Sequence, residues 1–337
     1  MPTLSLALSA MATRFEIVLH GDKPASLRAA GEEALEEIER LEAHLSLFRR
    51  SSEITHLNAR AAKEPVRVSP PLFALLQHAQ ELNQETDGAF DITISPLLHC
   101  WGFRDGSGHL PDPEALTAAR AKVGMSLVQL EPKDFTVRFL REGVTLDLGA
   151  LGKGYAVERA AEILREAGVT SALIHGGTSS VEAIGHPPDT ASWKIGIANP
   201  LLPPPSFPRE EAQAEDVQKA EADNHLLSTI ELTDEAMSVS GIHGKFFKAD
   251  GETFGHVIDP RTGQPANRAV LAVVVLPSAT ESDALSTALL TLGPESHEKI
   301  SKLRPGMKTL VASETAGKLS VQAKGIAVPP LALISGY

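Results

Sequence analysis

The stretch Leu4-Ser-Leu-Ala-Leu-Ser-Ala-Met-Ala-Thr-Arg-Phe-Glu-Ile-Val-Leu19 carries the reading of the fold. Leu4 to Leu8 alternate weakly, and Thr13 to Leu19 alternate clearly, with Phe15, Ile17 and Leu19 on one face. A period of two belongs to a half-buried strand, so the chain opens as a strand pair. Between about Ser26 and Leu47 the period changes. Ala30, Ala34, Leu35, Ile38, Leu41 and Leu45 fall at helical spacing with Glu and Arg between them, which predicts a long amphipathic helix with a solvated charged face. A hairpin followed by a separate helix is not the repeating βαβ unit of a parallel sheet, and the expected class is α+β.

The rest of the chain keeps that mixture. Helices are expected from Pro70 to about Thr86, where Asp87-Gly88 breaks the pattern, from Pro113 onward, over Tyr155 to Ala167, and over Asp283 to Leu292. Strands are expected at Ala172 to Ile174, Trp193 to Ala198, Leu227 to Leu232, Phe254 to Ile258 and Val270 to Leu276. Between Pro200 and Asn224 five prolines precede an Ala/Glu-rich run with six acids and two bases, which reads as a mobile surface insertion.

Composition excludes some functions. Of 337 residues, 42% are hydrophobic and 22% charged, so a sizeable core is available. Net charge is −12, no Lys/Arg block interrupts it, and aromatics are 4%, which leaves little with which to bind a phosphate backbone or stack bases. No nucleic-acid partner is expected. The lone Cys100, beside Leu97, Leu98 and Trp101, reads as a buried structural thiol. No apolar run reaches membrane-spanning length. No Lys or Arg precedes the apolar Leu4 to Ala10 stretch and no lipid-accepting cysteine follows it, so a cytoplasmic location is expected.

Four segments carry chemistry. Asp147-Leu-Gly-Ala-Leu-Gly-Lys-Gly-Tyr155 places three glycines and a lysine just before a helix, where backbone amides can approach an anion. It lacks the spacing and the Ser/Thr of a Walker A loop, and reads equally as a glycine-rich turn with a solvated lysine. Gly176-Gly177 follows a strand. Phe254-Gly-His-Val-Ile-Asp-Pro-Arg-Thr-Gly263 presents His256 and Asp259 before a turn, His256 being either an acid/base group or an ordinary strand histidine. In Glu281-Ser-Asp-Ala-Leu-Ser-Thr-Ala288, Asp283 and Thr287 stand i and i+4 on one helix face. Their oxygens suit a hard cation such as Mg²⁺. The alternative is that Asp283 favours the helix N-terminus and Thr287 bonds back along the helix.

Taken in order, these segments together with Met11-Ala-Thr-Arg-Phe15, Ser52 to Asn58, Thr86 to Thr93 and Trp101-Gly-Phe103 resemble the ApbE-type FAD:protein FMN transferases from about residue 9 to 295. The resemblance implies a two-lobed α+β architecture, with mixed or antiparallel sheets flanked by helices and one cleft shared by residues 1–337. It implies transfer of the FMN phosphoryl part of FAD to a Thr or Ser hydroxyl of an acceptor flavoprotein, with Mg²⁺ present and AMP released. An FAD pyrophosphatase and a non-catalytic FAD-binding protein are the alternatives. By the same resemblance Ala150, Asp283 and Thr287 hold the metal, with Ser286 beside them. Met11, Phe48, Ala89, Phe90, Asp91, Asp147, Lys153 and Ile258 contact the dinucleotide, and His256 serves the transfer, with Asp283 also counted as catalytic. The chain departs from the family pattern at Ala12 in place of glycine, Phe48 in place of a phenol, Thr178 in place of an acid and Val239 in place of threonine.

Overall fold

A computed structural model describes residues 1–202, 225–242, 244 and 246–329. Most of the expected Pro200 to Asn224 insertion lies outside the described residues. The opening stretch folds as β1 (Thr3–Ala10) paired antiparallel with β2 (Thr13–His20), in the register Leu6 opposite Ile17. Phe15, Ile17 and Leu19 are fully buried, as their alternation predicts. Then comes α1 (Pro24–Leu45), started by a proline in its first turn, with Leu27, Ala30, Ala34, Ile38, Leu41 and Leu45 turned inward. Gly31 lets this helix lie close on the hairpin: a Cβ there would come within 2.5 Å of Leu6 Cδ1.

The chain continues through α2 (Glu53–Arg60), β3 (Val66–Arg67), α3 (Pro70–Glu85), α4 (Ser95–Cys100), α5 (Pro113–Arg120), β4 (Val128–Glu131), β5 (Thr136–Phe139), α6 (Gly152–Glu166), β6 (Ala172–Gly176), β7 (Ser180–Ile184), β8 (Trp193–Ala198), β9 (Leu226–Leu232) and β10 (Ala236–Gly241). It ends with β11 (Phe246–Ala249), β12 (Glu252–Gly255), β13 (Leu271–Leu276), α7 (Ala279–Leu292), α8 (His297–Ile300), β14 (Lys308–Thr315) and β15 (Lys318–Lys324). The main sheet has eight strands in the order β1-β2-β6-β7-β10-β13-β14-β15, every neighbouring pair antiparallel. Among the described residues three smaller sheets, β3-β5-β4, β8-β9 and β11-β12, accompany it in an α+β fold.

The sheet is buried on both faces, and β13 shows why its sequence is continuously apolar. Ala272, Val274 and Leu276 point into the core shared with α1, α6 and α7, whereas Leu271, Val273 and Val275 point into a second core under β8-β9. Each fully buried Val or Leu contributes roughly 1.5–3 kcal/mol. A third, smaller cluster joins Leu97, Trp101, Phe103, Ala119 and Ile258, with Phe247 and Phe254 of the β11-β12 hairpin against it.

Several expectations change. The α7 helix begins at Ala279 rather than Asp283, because Ser278 caps it by accepting the Glu281 N–H at 3.1 Å. The α6 helix begins at Gly152 rather than Tyr155, because Leu148 C=O accepts the Gly152 N–H at 2.7 Å and closes the glycine-rich turn into helix. The strand expected over Phe254 to Ile258 stops at Gly255, the pairing partner of Phe246, so His256 stands in the following loop. Cys100 is half-buried, with its thiol pushed up chiefly by burial, rather than sealed in the core. No helix among the described residues is long and apolar enough to cross a membrane.

Candidate active site

The site is organised by two helix N-termini that cross. Helix α6 is rich in small buried residues, Ala156, Ala160 and Ala161, which allow close packing. At the crossing stands Gly154, where a Cβ would lie 2.7 Å from Asp283 Cβ and closer still to the Ala279 carbonyl. This approach lets the Gly154 N–H donate to Asp283 Oδ2 at 3.0 Å. Gly154 is the third residue of α6, so its N–H is one of the first-turn amides that have no carbonyl partner within the helix. Asp283 satisfies it, while the Tyr155 N–H bonds the Leu151 carbonyl and the Ala150 carbonyl precedes the helix.

Helix α7 is fixed from its first turn. Ser278 caps it by accepting the Glu281 N–H at 3.1 Å, and Glu158 of α6 accepts from both Ser278 Oγ, at 2.6 Å, and the Thr280 N–H, at 2.8 Å. Glu281 is engaged by Arg304, whose guanidinium forks between Glu281 and Glu85 of α3 and whose proton affinity those carboxylates raise further. Asp283 is thus held rigidly and is only 4% exposed. One turn on, Thr287 Oγ1 is 3.2 Å from the Asp283 carbonyl and 3.2 Å from Ser240 Oγ of β10. Ser240 is also 2.8 Å from Ser286 Oγ.

The glycine-rich stretch is anchored on its other side. Asn58 of α2 accepts the Leu146 N–H at 2.8 Å and donates to the Leu146 carbonyl at 3.0 Å, reading that backbone as a neighbouring strand would. The Asp147 N–H donates to the Ile92 carbonyl at 2.6 Å, and Asp147 Oδ1 accepts from the Gly149 N–H at 2.8 Å. Lys153 is half-buried, with Nζ 3.3 Å from the Gly149 carbonyl.

The remaining candidates fall into several settings. Ala89 and Phe90 are buried, with the Phe90 N–H and carbonyl held by Thr86 and Asn83. Asp91 is buried too; burial pushes its carboxyl up, against hydrogen bonds from Thr93, Met125 and Asn83. It borders a cavity of about 550 Å³ whose rim includes Arg120 and Arg261. Met11 donates its N–H to Glu42, itself paired with Arg49. Phe48 is 80% exposed, its ring capped by Arg104 at 5.6 Å from the centroid. Arg104 and Cys100 border a second cavity, about 660 Å³. The His256 ring lies over Gly244, where a Cβ would come within 2.9 Å of Cε1. Ile258 is buried and bridges Pro265, and Asp259 is clamped by Arg261 through Oδ1 and Oδ2 at 2.8 and 2.6 Å.

The structure therefore joins Asp283 to the 147–155 stretch and that stretch to Ile92, next to Asp91. Neither cavity is lined by Asp283, Lys153 or His256. Sequence reasoning missed the crossing role of Gly154 and the backbone clamp of Asn58. The doublet Gly152-Lys-Gly154 at a helix start is the signal for the first; nothing in one sequence marks the second.

The donor set suits a hard divalent ion. Among the described residues no group of three or more His, Cys, Asp or Glu could hold a metal. The Asp283 carboxylate, the Thr287 hydroxyl and the Ala150 carbonyl would offer the oxygen ligands that Mg²⁺ takes while keeping water or phosphate oxygens.

Known proteins resemble this chain closely. A sequence model of the ApbE family matches residues 11–311. An FAD:protein FMN transferase of Klebsiella pneumoniae is 28% identical over 284 residues, covering 82% of this chain and 74% of the relative. One of Haemophilus influenzae is 27% identical over 302 residues, covering 87% and 81%. The apo flavinyl transferase ApbE of Pseudomonas stutzeri superposes with a TM-score of 0.79 at 27% identity over 96% of this chain and 95% of that one. The ApbE protein of Thermotoga maritima gives 0.77 at 27% identity over 92% and 94%.

Proposed function

The chain belongs to the ApbE family, and from that premise we infer that it is an FAD:protein FMN transferase, moving the FMN phosphoryl moiety of FAD onto a Thr or Ser hydroxyl of an acceptor flavoprotein. The observation that supports this most is the crossing of α6 and α7, which brings the Asp283 carboxylate onto the Gly154 amide, beside the glycine-rich turn that carries Ala150. Ala150, Asp283 and Thr287 would hold Mg²⁺, which when bound neutralises diphosphate charge and favours departure of AMP.

The chain's own groups have distinct tasks in this reading. FAD lies in a cleft between two lobes, one built on the eight-stranded sheet and one on α4 and α5 with the β11-β12 hairpin. Lys153 and the N-terminus of α6 face the diphosphate. Phe48, exposed and paired with Arg104, offers a face for a flavin or adenine ring. Met11, the Ala89 to Asp91 segment, Asp147 and Ile258 shape the rest of the dinucleotide site. The acceptor oxygen attacks the FMN phosphorus, its proton passes to His256, and the diphosphate bond breaks to release AMP.

The test is incubation with FAD, Mg²⁺ and candidate acceptor flavoproteins, followed by a denaturing gel. Flavin fluorescence should remain on the acceptor band, and Asp283→Ala should lower it by at least about 100-fold. Release of FMN and AMP without a labelled acceptor would replace this reading with an FAD pyrophosphatase, and normal labelling by Asp283→Ala would remove the assigned cation site.

A further inference from the structure

Three hydroxyls beside Asp283 form a closed hydrogen-bonded group. Ser240 Oγ lies 2.8 Å from Ser286 Oγ and 3.2 Å from Thr287 Oγ1. Ser286 and Thr287 both reach the main-chain carbonyl of Asp283, at 3.0 and 3.2 Å. Each hydroxyl owns one proton, and the carbonyl owns none. The carbonyl has two lone pairs and can accept from both Ser286 and Thr287, so the arrangements that use all three protons fall into two sets according to where Ser240 donates. In the first set Ser240 donates to Ser286, Ser286 to the carbonyl, and Thr287 to Ser240 or the carbonyl. In the second Ser240 donates to Thr287, Thr287 to the carbonyl, and Ser286 to Ser240 or the carbonyl.

The two differ in what they leave on Thr287. In the first its oxygen receives no hydrogen bond and both lone pairs stay open; in the second Ser240 occupies one of them. The first always uses the two shorter contacts, Ser240 to Ser286 at 2.8 Å and Ser286 to the carbonyl at 3.0 Å, where the second always uses Ser240 to Thr287 and Thr287 to the carbonyl, both at 3.2 Å. It also keeps the Ser240 proton, and its positive end, off the oxygen that would meet a cation. Ser286 is fully buried, so water has no access with which to replace its proton acceptor or donor.

We propose that Ser240 and Ser286 are positioning residues that set the direction of this hydroxyl chain, so that Thr287 donates inward and presents unencumbered lone pairs to a hard divalent cation. Neither serine touches the cation. The inference rests on the reading of Asp283 and Thr287 as its ligands and adds the device that makes a threonine hydroxyl a competent ligand there.

The direction makes a prediction that simple loss of packing does not. Ser286→Ala releases the Ser240 proton, whose nearest remaining acceptor in the group is Thr287 Oγ1, so the lone pair becomes blocked. Removing Ser240 as well takes the blocking proton away. Binding of Mn²⁺ alone to the full-length protein, followed by electron paramagnetic resonance, reads this directly, and the Mg²⁺-induced rise in unfolding temperature reads it independently. Ser286→Ala is expected to weaken binding about 10-fold and Ser240→Ala about 2- to 3-fold. The Ser240→Ala/Ser286→Ala double variant should recover to the level of Ser240→Ala. In the AMP-release assay the Ser286→Ala defect should appear as a raised Mg²⁺ requirement, with turnover at saturating Mg²⁺ near normal.

A double variant that binds as weakly as Ser286→Ala, or weaker, overturns the proposal, as does a Ser286→Ala protein that binds Mn²⁺ normally. Mn²⁺ binding that survives Asp283→Ala would instead overturn the cation site itself. Unfolding temperatures measured without metal separate a folding defect from both, and the same ordering in the Mg²⁺ requirement is needed from whatever fraction of each variant folds.

Discussion

Glu182 of β7 is fully buried and faces Arg165 of α6, which donates to Oε1 at 2.7 Å; Oε2 is buried with no partner among the described residues. Burial pushes its carboxyl up to about 8 in spite of the arginine. The native protein therefore holds a proton that the unfolded chain releases near the ordinary glutamate value of 4.5. Stability from this group is complete below about pH 4.5, declines as pH rises through the window to about 8, and is gone above it. Glu182→Gln should flatten that slope and stabilise the protein by on the order of 2 kcal/mol above pH 8, read from thermal unfolding across pH 5 to 9. A second strained point is the β1-β2 turn, where Met11 and Ala12 have φ of 50° and 57°. Such a tight hairpin turn wants glycine or asparagine. Ala12→Gly should add about 1 kcal/mol of stability, seen as a raised denaturation midpoint, with the Met11 to Glu42 contact intact.

At the scale of elements, the α6 and α7 crossing carries the greatest demand. Gly154→Ala would drive a methyl into the Ala279 carbonyl and Asp283 Cβ, and a backbone atom cannot step aside as a flexible side chain can. It should cost about 2–3 kcal/mol in urea unfolding and remove flavinylation even where the protein stays folded. The opening hairpin, α1, α3, α6 and α7 were legible from their period and β13 from its β-branched apolar run; Pro70 placed the start of α3, whereas α1, α6 and α7, expected from Ser26, Tyr155 and Asp283, begin at Pro24, Gly152 and Ala279. Strands β7, β10 and β15 were not. Ser180-Val-Glu-Ala-Ile184 buries a glutamate against Arg165 of α6, Ala236-Met-Ser-Val-Ser-Gly241 is diluted by serines that bond across to other elements, and Lys318 to Lys324 is a polar edge. Their strand character comes from neighbours in the sheet, which a single local window does not contain. The same applies to the site. The i, i+4 pair Asp283 and Thr287 can be seen in the sequence, whereas Asn58, Glu158 and Ser240 acquire their roles only when distant segments meet.

At the scale of the molecule, β8 and β9 form a hairpin over the second core, with Trp193 opposite Leu232 and the Asn199 N–H donating to the His225 carbonyl at 2.8 Å. Its two ends are thus tied before residues 200–224 begin. Loop entropy grows only slowly with length, so exchanging residues 201–224 for a four-residue turn should keep the unfolding temperature or raise it by the equivalent of about 1–2 kcal/mol, as differential scanning calorimetry would report. The acidic stretch can then be tested for a role in acceptor choice without disturbing the crossing of α6 and α7. That zipped pair of strands also makes Asn199 and His225 a natural port for cargo: a reporter or affinity module whose own ends lie close together could be spliced in there and ride on the enzyme as a passenger.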